Sequence, residues 1–447
     1  MKTILTAKLK LHTTPPQFQA LRRTQLAYRD ALNHVSRYSF AHGKISSGRA
    51  LQRDCYDEIR MLYHLPSQMA CNVPRQVGAT YKTLWTKVRQ NAAARKAGQT
   101  KKRYKGLDQA PKYISPTLTY NYKYDYSLKS LPAPQAGFQQ VSVLTLSGRE
   151  IIPYTGYDKH VALLQDGAHI GAAKLWYDKP RKQFYLLVTL EIDVPEPTPE
   201  THKSVVGVDV GQRYLAVTAT PAGEETFYSG KTVRAKADHD ARLRKRLQKK
   251  GTRSATRRLK QDRNHLISRR IVDAHPHSII GLEDLTHIRE RTRRRTHQRT
   301  KHGKGVERVS KKQRKSNRHA SQWAFAELHS YIAYKALQTS SMAVKVDAHY
   351  SSQACPMCGY TSKANRPGRG LLFVCQNCHY TLHADLVGAR NVTLRTLLVR
   401  QDWMSTGVLS VRPDVSSDEA KAARLSRYAE LRWSLDTSPS RSTGWGH

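Results

Sequence analysis

The sequence predicts an α/β chain of four regions, the third interrupted by a zinc-held insertion, and three observations carry that expectation. Residues 205–210 and 278–285 are short, almost unbroken apolar runs of buried-strand type, with helical patterning between and after them. Residues 111–195 read instead as a series of short strands, and the stretch before them as one strand followed by helices. Between residues 355 and 378, two Cys-x2-Cys pairs stand sixteen residues apart, a spacing that folds around one tetrahedral ion.

The elements follow in order. Leu5, Ala7, Leu9 and Leu11 alternate with Thr6, Lys8 and Lys10, the period of a strand. Pro15 and Pro16 suit a first helical turn, and Phe18, Leu21, Leu26, Ala31, Leu32 and Val35 recur at helical spacing after them. Further helices are expected over Arg49–Tyr63 and Pro74–Lys96. In YNYKYDY, Tyr120, Tyr122, Tyr124 and Tyr126 alternate as one strand with an aromatic face, which is expected to pack inward rather than stack on bases. Val141–Leu146, Ala172–Tyr177 and Phe184–Ile192 are further strands. The three prolines of VPEPTPET mark a semi-rigid linker. Beyond it come the strands Val205–Val210 and Tyr214–Ala219, a basic helix around Arg242–Arg270, the strand Ser278–Leu285 and a helix over Ser316–Leu337. The segment from about 399 is rich in Ser and Arg, holds one helix within SSDEAKAARLSRYAELRWSL, and is expected to be partly disordered.

Composition narrows the partner. The 447 residues include 76 Lys and Arg against 34 Asp and Glu, a formal charge of +42. Such an excess repels itself in a compact protein unless a polyanion offsets it, and nucleic acid is the default polyanion, with an anionic membrane surface the minor alternative. About half of the excess lies in residues 231–320, which hold 30 Lys and Arg against 8 Asp and Glu. With 39% hydrophobic residues the chain can bury a core, which excludes wholesale disorder. No apolar run reaches the roughly 18 residues of a membrane span, and Lys8 and Lys10 break the apolar start that a signal peptide would need. The chain is therefore read as cytoplasmic (nucleoid-associated in a prokaryote), without a membrane partner and without structural disulfides.

Four segments carry chemistry. Cys355, Cys358, Cys375 and Cys378 form two knuckles whose four thiolates close a structural Zn²⁺ site and leave no open position. CQNCH also fits a haem-attachment pattern, but CPMCG does not, and a dithiol redox site would need only one pair. Cys55 and Cys71 read as core residues. Asp209 is the one carboxylate in an apolar strand and is either a turn cap or a metal ligand. In IIGLEDL, Glu283 and Asp284 point to opposite faces of their strand, so only one can join Asp209, and Asp284 reads as a cap or a solvated charge. Asp385 sits near a helix start, where an N-terminal capping role is the plain alternative. Asp209, Glu283 and Asp385 are 74 and 102 residues apart in sequence. Were they to converge, they could hold two Mg²⁺ ions for phosphodiester hydrolysis.

GVDVGQRYLAV, IIGLEDL and HADLVGARN resemble the three motifs of RuvC-like nucleases with the RNase H fold. The ribbon SSQACPMCGY…FVCQNCHY, just before the third motif, is similar to that of the TnpB family of transposon-encoded, RNA-guided DNA endonucleases. TAKLKLHTTPPQFQALRRTQLAYRDALNHV looks like that family's N-terminal segment. The resemblance implies an α/β RNase H-like (RuvC) nuclease domain with an inserted zinc ribbon, plus an N-terminal β-barrel (wedge) domain carrying an inserted helical recognition domain. It divides the chain into a first wedge strand (1–14), the helical recognition domain (15–110), the remaining wedge (111–195), a linker (196–203), a longer nuclease segment (204–349), the zinc ribbon (350–382), a shorter nuclease segment (383–398) and a C-terminal tail (399–447). It makes Asp209, Glu283 and Asp385 the catalytic, Mg²⁺-holding acids. It also implies a guide RNA as cofactor and partner, with double-stranded target DNA and an RNA–DNA heteroduplex read beside a short target-adjacent motif. A monomer is the expected state.

Nucleic-acid contacts are expected from Arg242, Arg246, Arg257 and Arg258 on the basic helix, from Arg293, Arg294, Arg295 and Arg314 in the arginine-rich stretch, and from Arg390 in the ARN tail of the third motif. Three rivals remain open: a compact type V CRISPR effector of the same ancestry, a non-catalytic zinc-ribbon regulator, and a protein-only resolvase or transposase on the same fold.

Overall fold

The computed structural model describes residues 2–98, 100, 102–115, 117–129, 139–165, 168–247, 253–286, 288, 297–299, 306–310, 313–314, 317, 324–367, 371–414 and 416–433. The chain divides into two compact units, Lys2–Asp193 and Val194–His447.

In the first unit, β1 (Lys2–Leu11) realises the alternation read in the sequence, burying Leu5, Ala7, Leu9 and Leu11 and turning Thr6, Lys8 and Lys10 outward. The remaining strands are β2 (Leu118–Tyr120), β3 (Tyr126–Lys129), β4 (Gln139–Thr145), β5 (Gly148–Thr155), β6 (His169–Asp178) and β7 (Gln183–Asp193). They pair antiparallel in the order β2-β6-β7-β1-β5-β4-β3, so β1 is central although it is first in the chain. Helices α1 (Pro15–Ala41), α2 (Gly48–Tyr63) and α3 (Ser67–Lys96) fall between β1 and β2, the position expected for an inserted helical domain, and α4 (Asp158–Gln165) joins β5 to β6. A Thr14–Gln17 capping box with Pro15 behind it starts α1. Pro74 lies inside α3 rather than at its start, as the helix begins at Ser67.

The YNYKYDY segment departs from the expectation of one strand. Tyr120 ends β2, Tyr126 begins β3, and residues 121–125 form a turn in which Asp125 Oδ2 accepts from Asn121 N at 2.8 Å. Tyr120 and Tyr126 are buried, whereas Tyr124 is exposed. That turn joins the two outer strands of the sheet, which decides its shape. A flat seven-stranded sheet would separate its edges by about 29 Å. A five-residue link reaches at most about 20 Å. The sheet therefore curls back on itself, and side chains cross the seam: Tyr126 Oη donates to Gly171 O on β6 at 2.6 Å, and Tyr120 Oη to Leu144 O on β4 at 2.9 Å.

In the second unit the expected linker is only partly free of structure: His202 is buried, and its carbonyl accepts from Arg400 Nε. Strands β8 (Ser204–Asp209), β9 (Tyr214–Ala219) and β10 (Glu225–Ser229) form an antiparallel meander; β11 (Ser278–Asp284) then pairs parallel with β8. A small ribbon, β12 (His297–Arg299) with β13 (Val306–Arg308), lies within the arginine-rich stretch, and β14 (Met342–Asp347) pairs parallel with β11. The sheet order is β10-β9-β8-β11-β14. The expected basic helix is two, α5 (Lys231–Leu247) and α6 (Arg253–Ala274), and the expected 316–337 helix is described as α7 (Phe325–Ala336) followed by a short 3₁₀ turn.

Both faces of this sheet are covered, which is why its central strands read as unbroken apolar runs. Val206, Val208, Ile280 and Leu282 pack on one face with residues of α6 and α7, among them Ile267, Ile271, Leu328 and Ile332. The other face takes α8 (Ala384–Thr406), whose fit depends on Gly207 and Gly281. A Cβ at Gly207 would collide with the Thr393 backbone, and one at Gly281 with the Thr396 hydroxyl.

The C-terminal segment holds the one helix expected there and packs on the core as far as residue 433, and a boundary at 398 would cut α8 in two. Trp403 on the last turns of α8 packs with Val205, Ile279 and Val344. Helix α9 (Asp418–Glu430) follows, and the chain returns to the core at Trp433, 3% exposed, which packs with Val217, Ala219, Leu386 and Ala389. Arg427 holds Asp402 with two bonds of 2.9 and 2.6 Å. Residues 434–447 lie outside the described residues. Trp433→Ala is expected to destabilise the protein by about 3–5 kcal/mol, as large buried aromatics do when truncated; the measurement is the denaturant midpoint, read with an unchanged m-value.

Candidate catalytic carboxylates and the cysteine cluster

Asp209 and Glu283 are placed by strand register. Val208 on β8 is the partner of Leu282 on β11, so the next residue on each strand carries a carboxylate at neighbouring carboxyl ends of two parallel strands. Asp385 arrives from the first turn of α8, where the His383 ring accepts a bond from Asp385 N at 3.2 Å. One turn further on, Gly388 allows the helix to lie against the strand end, since a Cβ there would stand 3.0 Å from Asp209 Cγ. Three segments distant in sequence thus bring three acids together.

The electrostatics of the group are strained. Burial pushes the Asp209 carboxyl well above the usual range, and the charges of Glu283 and Asp385 push it further, with Arg366 acting in the opposite sense. Glu283, 6% exposed, is raised by burial; Ser351, which donates to Oε1 at 2.5 Å, and the charge of Arg395 oppose that rise. The charges of Glu283 and Asp385 thus act against ionisation of the buried Asp209, and a bound cation would relieve that repulsion. The donor set is oxygen only and suits a hard divalent ion.

Asp284 takes the plain role. It faces away from Glu283 along β11, accepts from Thr286 N at 3.1 Å and pairs with Lys345 at 3.5 Å.

Among the described residues, Cys355, Cys358, Cys375 and Cys378 form the one group of potential ligands whose donor atoms all lie within 4.8 Å of one another. Cys355 and Cys378 sulfurs stand 3.6 Å apart, and those of Cys358 and Cys375 3.5 Å. A disulfide needs about 2 Å, whereas thiolates at the corners of a zinc tetrahedron stand about 3.8 Å apart. The two knuckles repeat one geometry. Gly359 N bonds to Cys355 O and His379 N to Cys375 O, and both Gly359 and His379 take a positive φ, 76° and 56°. His379 is therefore the turn counterpart of a glycine, which accounts for the CxxCH pattern without haem. Gly368 and Gly370 lie outside the described residues.

The basic residues divide. Arg242, Arg246, Arg257, Arg258 and Arg314 are exposed, as a contact with phosphates requires, while Arg293, Arg294 and Arg295 lie outside the described residues. Arg390 corrects the expectation. It is 7% exposed and is spent inside the fold, donating to Glu225 at 3.0 and 2.6 Å and to Tyr380 Oη at 2.6 Å, with its guanidinium 4.9 Å from the Trp433 ring. Asn391 is likewise internal, donating to Ser351 O and Ala354 O.

Sequence reasoning missed Ser351, Arg366 and Arg395. Arg366 is a half-buried residue of the ribbon loop whose charge acts on both Asp209 and His383. No periodicity marks it. The signal for Arg395 was available: an arginine four residues after Asn391, flanked on its helix by Val392, Leu394, Leu397 and Leu398, must be matched internally.

Cys375→Ser is expected to abolish stoichiometric zinc in the purified protein, measured by atomic emission, and to loosen the ribbon, measured by faster limited proteolysis between residues 350 and 383.

Residues 187–280 match a family described as "Probable transposase", and residues 325–392 match the family "Cas12f1-like, TNB domain". The chain is 25% identical over 261 residues to the CRISPR-associated endodeoxyribonuclease Cas12f1 of Sulfoacidibacillus thermotolerans, covering 52% of this chain and 55% of that protein. It is 26% identical over 225 residues to InsQ of Escherichia coli K12, named as a candidate RNA-guided DNA endonuclease, covering 47% of this chain and 53% of that one. The chain thus spans about half the length of these relatives. The solved structure of CasPhi-2 (Cas12j) bound to crRNA superposes with a TM-score of 0.51 at 12% identity, covering 88% of this chain and 98% of that one, which is a likeness of fold. The fold is consistent with a RuvC-like nuclease carrying a zinc-binding region. The resemblance to TnpB drawn from three motifs and a ribbon holds, and the chain is a relative of the TnpB and Cas12f1 proteins.

Proposed function

We propose that the chain is a guide-RNA-directed, Mg²⁺-dependent DNA endonuclease of the TnpB type, cutting DNA paired to its guide beside a short target-adjacent motif. The observation that carries this reading is the convergence of Asp209 and Glu283 at neighbouring strand ends with Asp385 on the first turn of α8, close enough that the charges of Glu283 and Asp385 both act on the buried Asp209 carboxyl. Two Mg²⁺ ions held there would activate water and stabilise the leaving oxygen of a phosphodiester. The protein's own role is to hold the three carboxylates together at fixed orientation, where a bound cation would offset the burial and repulsion that raise Asp209. Arg366, with no ion pair of its own among the described contacts, stands near enough to share the charge of an incoming phosphate. The exposed arginines of α5 and α6 grip backbone rather than bases, leaving sequence recognition to the guide.

One rival keeps an observation in its favour. The Cas12f1-like match over residues 325–392 also suits a compact type V effector with a repeat-derived guide. A non-catalytic regulator would have no use for three intact acids converging in one site.

The test uses the protein purified with its native RNA. Asp209→Ala is expected to lower single-turnover cleavage by at least about 10³-fold, several kcal/mol of lost metal assistance, while binding of target DNA persists; undiminished cleavage would sink the reading. Sequencing the copurified RNA separates the rivals, a transposon-end transcript favouring the TnpB type and a repeat–spacer RNA the effector. The double variant Arg242→Ala, Arg246→Ala is expected to weaken RNA binding without regard to sequence and to flatten its dependence on salt by roughly one unit of log–log slope per arginine. The readout is a binding titration at several salt concentrations.

A further inference from the structure

The loop 348–354 leads from the end of β14 into the first cysteine knuckle, and one of its side chains ends on Glu283. Ser351 is 4% exposed, and its hydroxyl donates to Glu283 Oε1 at 2.5 Å. The residue before it, Tyr350, sits at φ 57°, a left-handed conformation that a bulky side chain adopts only when its surroundings impose it. The surroundings are α8. Asn391 Nδ2 donates to Ser351 O at 2.7 Å and to Ala354 O at 2.9 Å, and Arg395, one turn on, donates to Asp347 O and, at 2.8 Å, to His349 O. Four carbonyls in and beside the loop are thus held by two side chains of the helix that carries Asp385. Beyond the loop, Cys355 is fixed by its knuckle, with its N–H bonded to Tyr360 O.

We propose that Ser351 is a positioning residue for Glu283, held in place by Asn391 and by the cysteine cluster, so that the zinc ribbon and the carboxylate centre share one mechanical link. The serine hydroxyl occupies one lone pair of Oε1 and fixes the rotation of the carboxylate. The rest of the carboxylate stays available to a cation. A hydroxyl suits this place because a permanent cation in contact with Glu283 would compete for the same oxygens. The ARN tail of the third motif then has a use for its asparagine that is internal to the protein. This inference rests on the reading of the three acids as a metal-holding centre.

The test compares wild type, Ser351→Ala, Ser351→Thr and Asp209→Ala as guide-loaded complexes. Mn²⁺ binding is followed by paramagnetic relaxation of water, with the Asp209→Ala complex giving the background taken up by RNA; zinc content, melting temperature, target binding and single-turnover cleavage are measured alongside. Ser351→Ala removes one oxygen from a small side chain and is expected to keep zinc, melting temperature and target affinity. Its affinity for Mn²⁺ and its cleavage rate are expected to fall by about 10- to 100-fold, the usual loss when a group orienting a metal ligand is removed, and Ser351→Thr, which keeps the hydroxyl, to recover most of both. Wild-type Mn²⁺ affinity and cleavage in Ser351→Ala would overturn the proposal, as would a loss that only tracks loss of zinc. If Asp209→Ala itself binds Mn²⁺ and cuts like wild type, the metal-centre reading fails, and with it the ground for the proposal.

Discussion

Much of the second unit depends on how closely α8 lies on the sheet. The helix can sit there only because β8 and β11 present glycines to it, Gly207 facing Thr393 and Gly281 facing Thr396. Thr393 turns this proximity into hydrogen bonds, accepting from Gly207 N at 3.1 Å and donating to Ala219 O at 2.8 Å. At the helix start the same fit is repeated by Gly388 against Asp209. A side chain at either strand glycine would lift the helix, and Asp385 would leave its two partners. The electrostatic strain among the acids is therefore a consequence of packing: apolar and glycine contacts along α8 force together charges that would otherwise separate.

What was legible in the sequence is what local periodicity and short spacing can encode. Alternation in β1, the apolar runs of β8 and β11, and the two cysteine knuckles each imprint a pattern within a dozen residues. Period-two reasoning also separated Glu283 from Asp284, and the structure gives Asp284 the turn and ion-pair partners that reading implied. The three acids are a subtler case. Each had a plain local explanation, and only their joint setting in apolar or small-residue segments argued for convergence, which strand register and the α8 glycines then supply.

What was not legible depends on partners far away in sequence. YNYKYDY has strand period throughout, yet Asp125 can accept from the backbone of Asn121 and so favours a turn, because a local side-chain bond competes with the ladder. The segment after 398 looked loose because α9 has little apolar periodicity of its own. Its attachments are instead single long-range events: Arg427 to Asp402, Arg424 to Asp347 at 3.1 Å, and Trp433 entering the core. Arg390 was misread for a related reason. An arginine in a basic protein suggests a phosphate, and nothing near it in sequence announces Glu225, 165 residues away.

The partition of polar residues along α8 explains why one helix can serve both the ribbon and the acids. Asp385 opens it toward the strand ends; Arg390 reaches Tyr380 beside the second knuckle and Glu225 on β10; Asn391 and Arg395 reach the loop into the first knuckle. Buried polar groups of this kind add little net stability when satisfied and cost much when a partner is lost. Their effect is to fix one arrangement among the many that apolar contacts alone would allow the helix to slide between. Trp433 adds a further tie from the C-terminal segment, its backbone N–H donating to Pro356 O at 2.8 Å and its ring lying against the Arg390 guanidinium. The ribbon is thereby tied to α8 from both ends of the chain segment that surrounds it. The cysteine cluster, which could hold zinc, is joined to Glu283 by a short chain of covalent and hydrogen bonds through Ala354, Asn391 and Ser351.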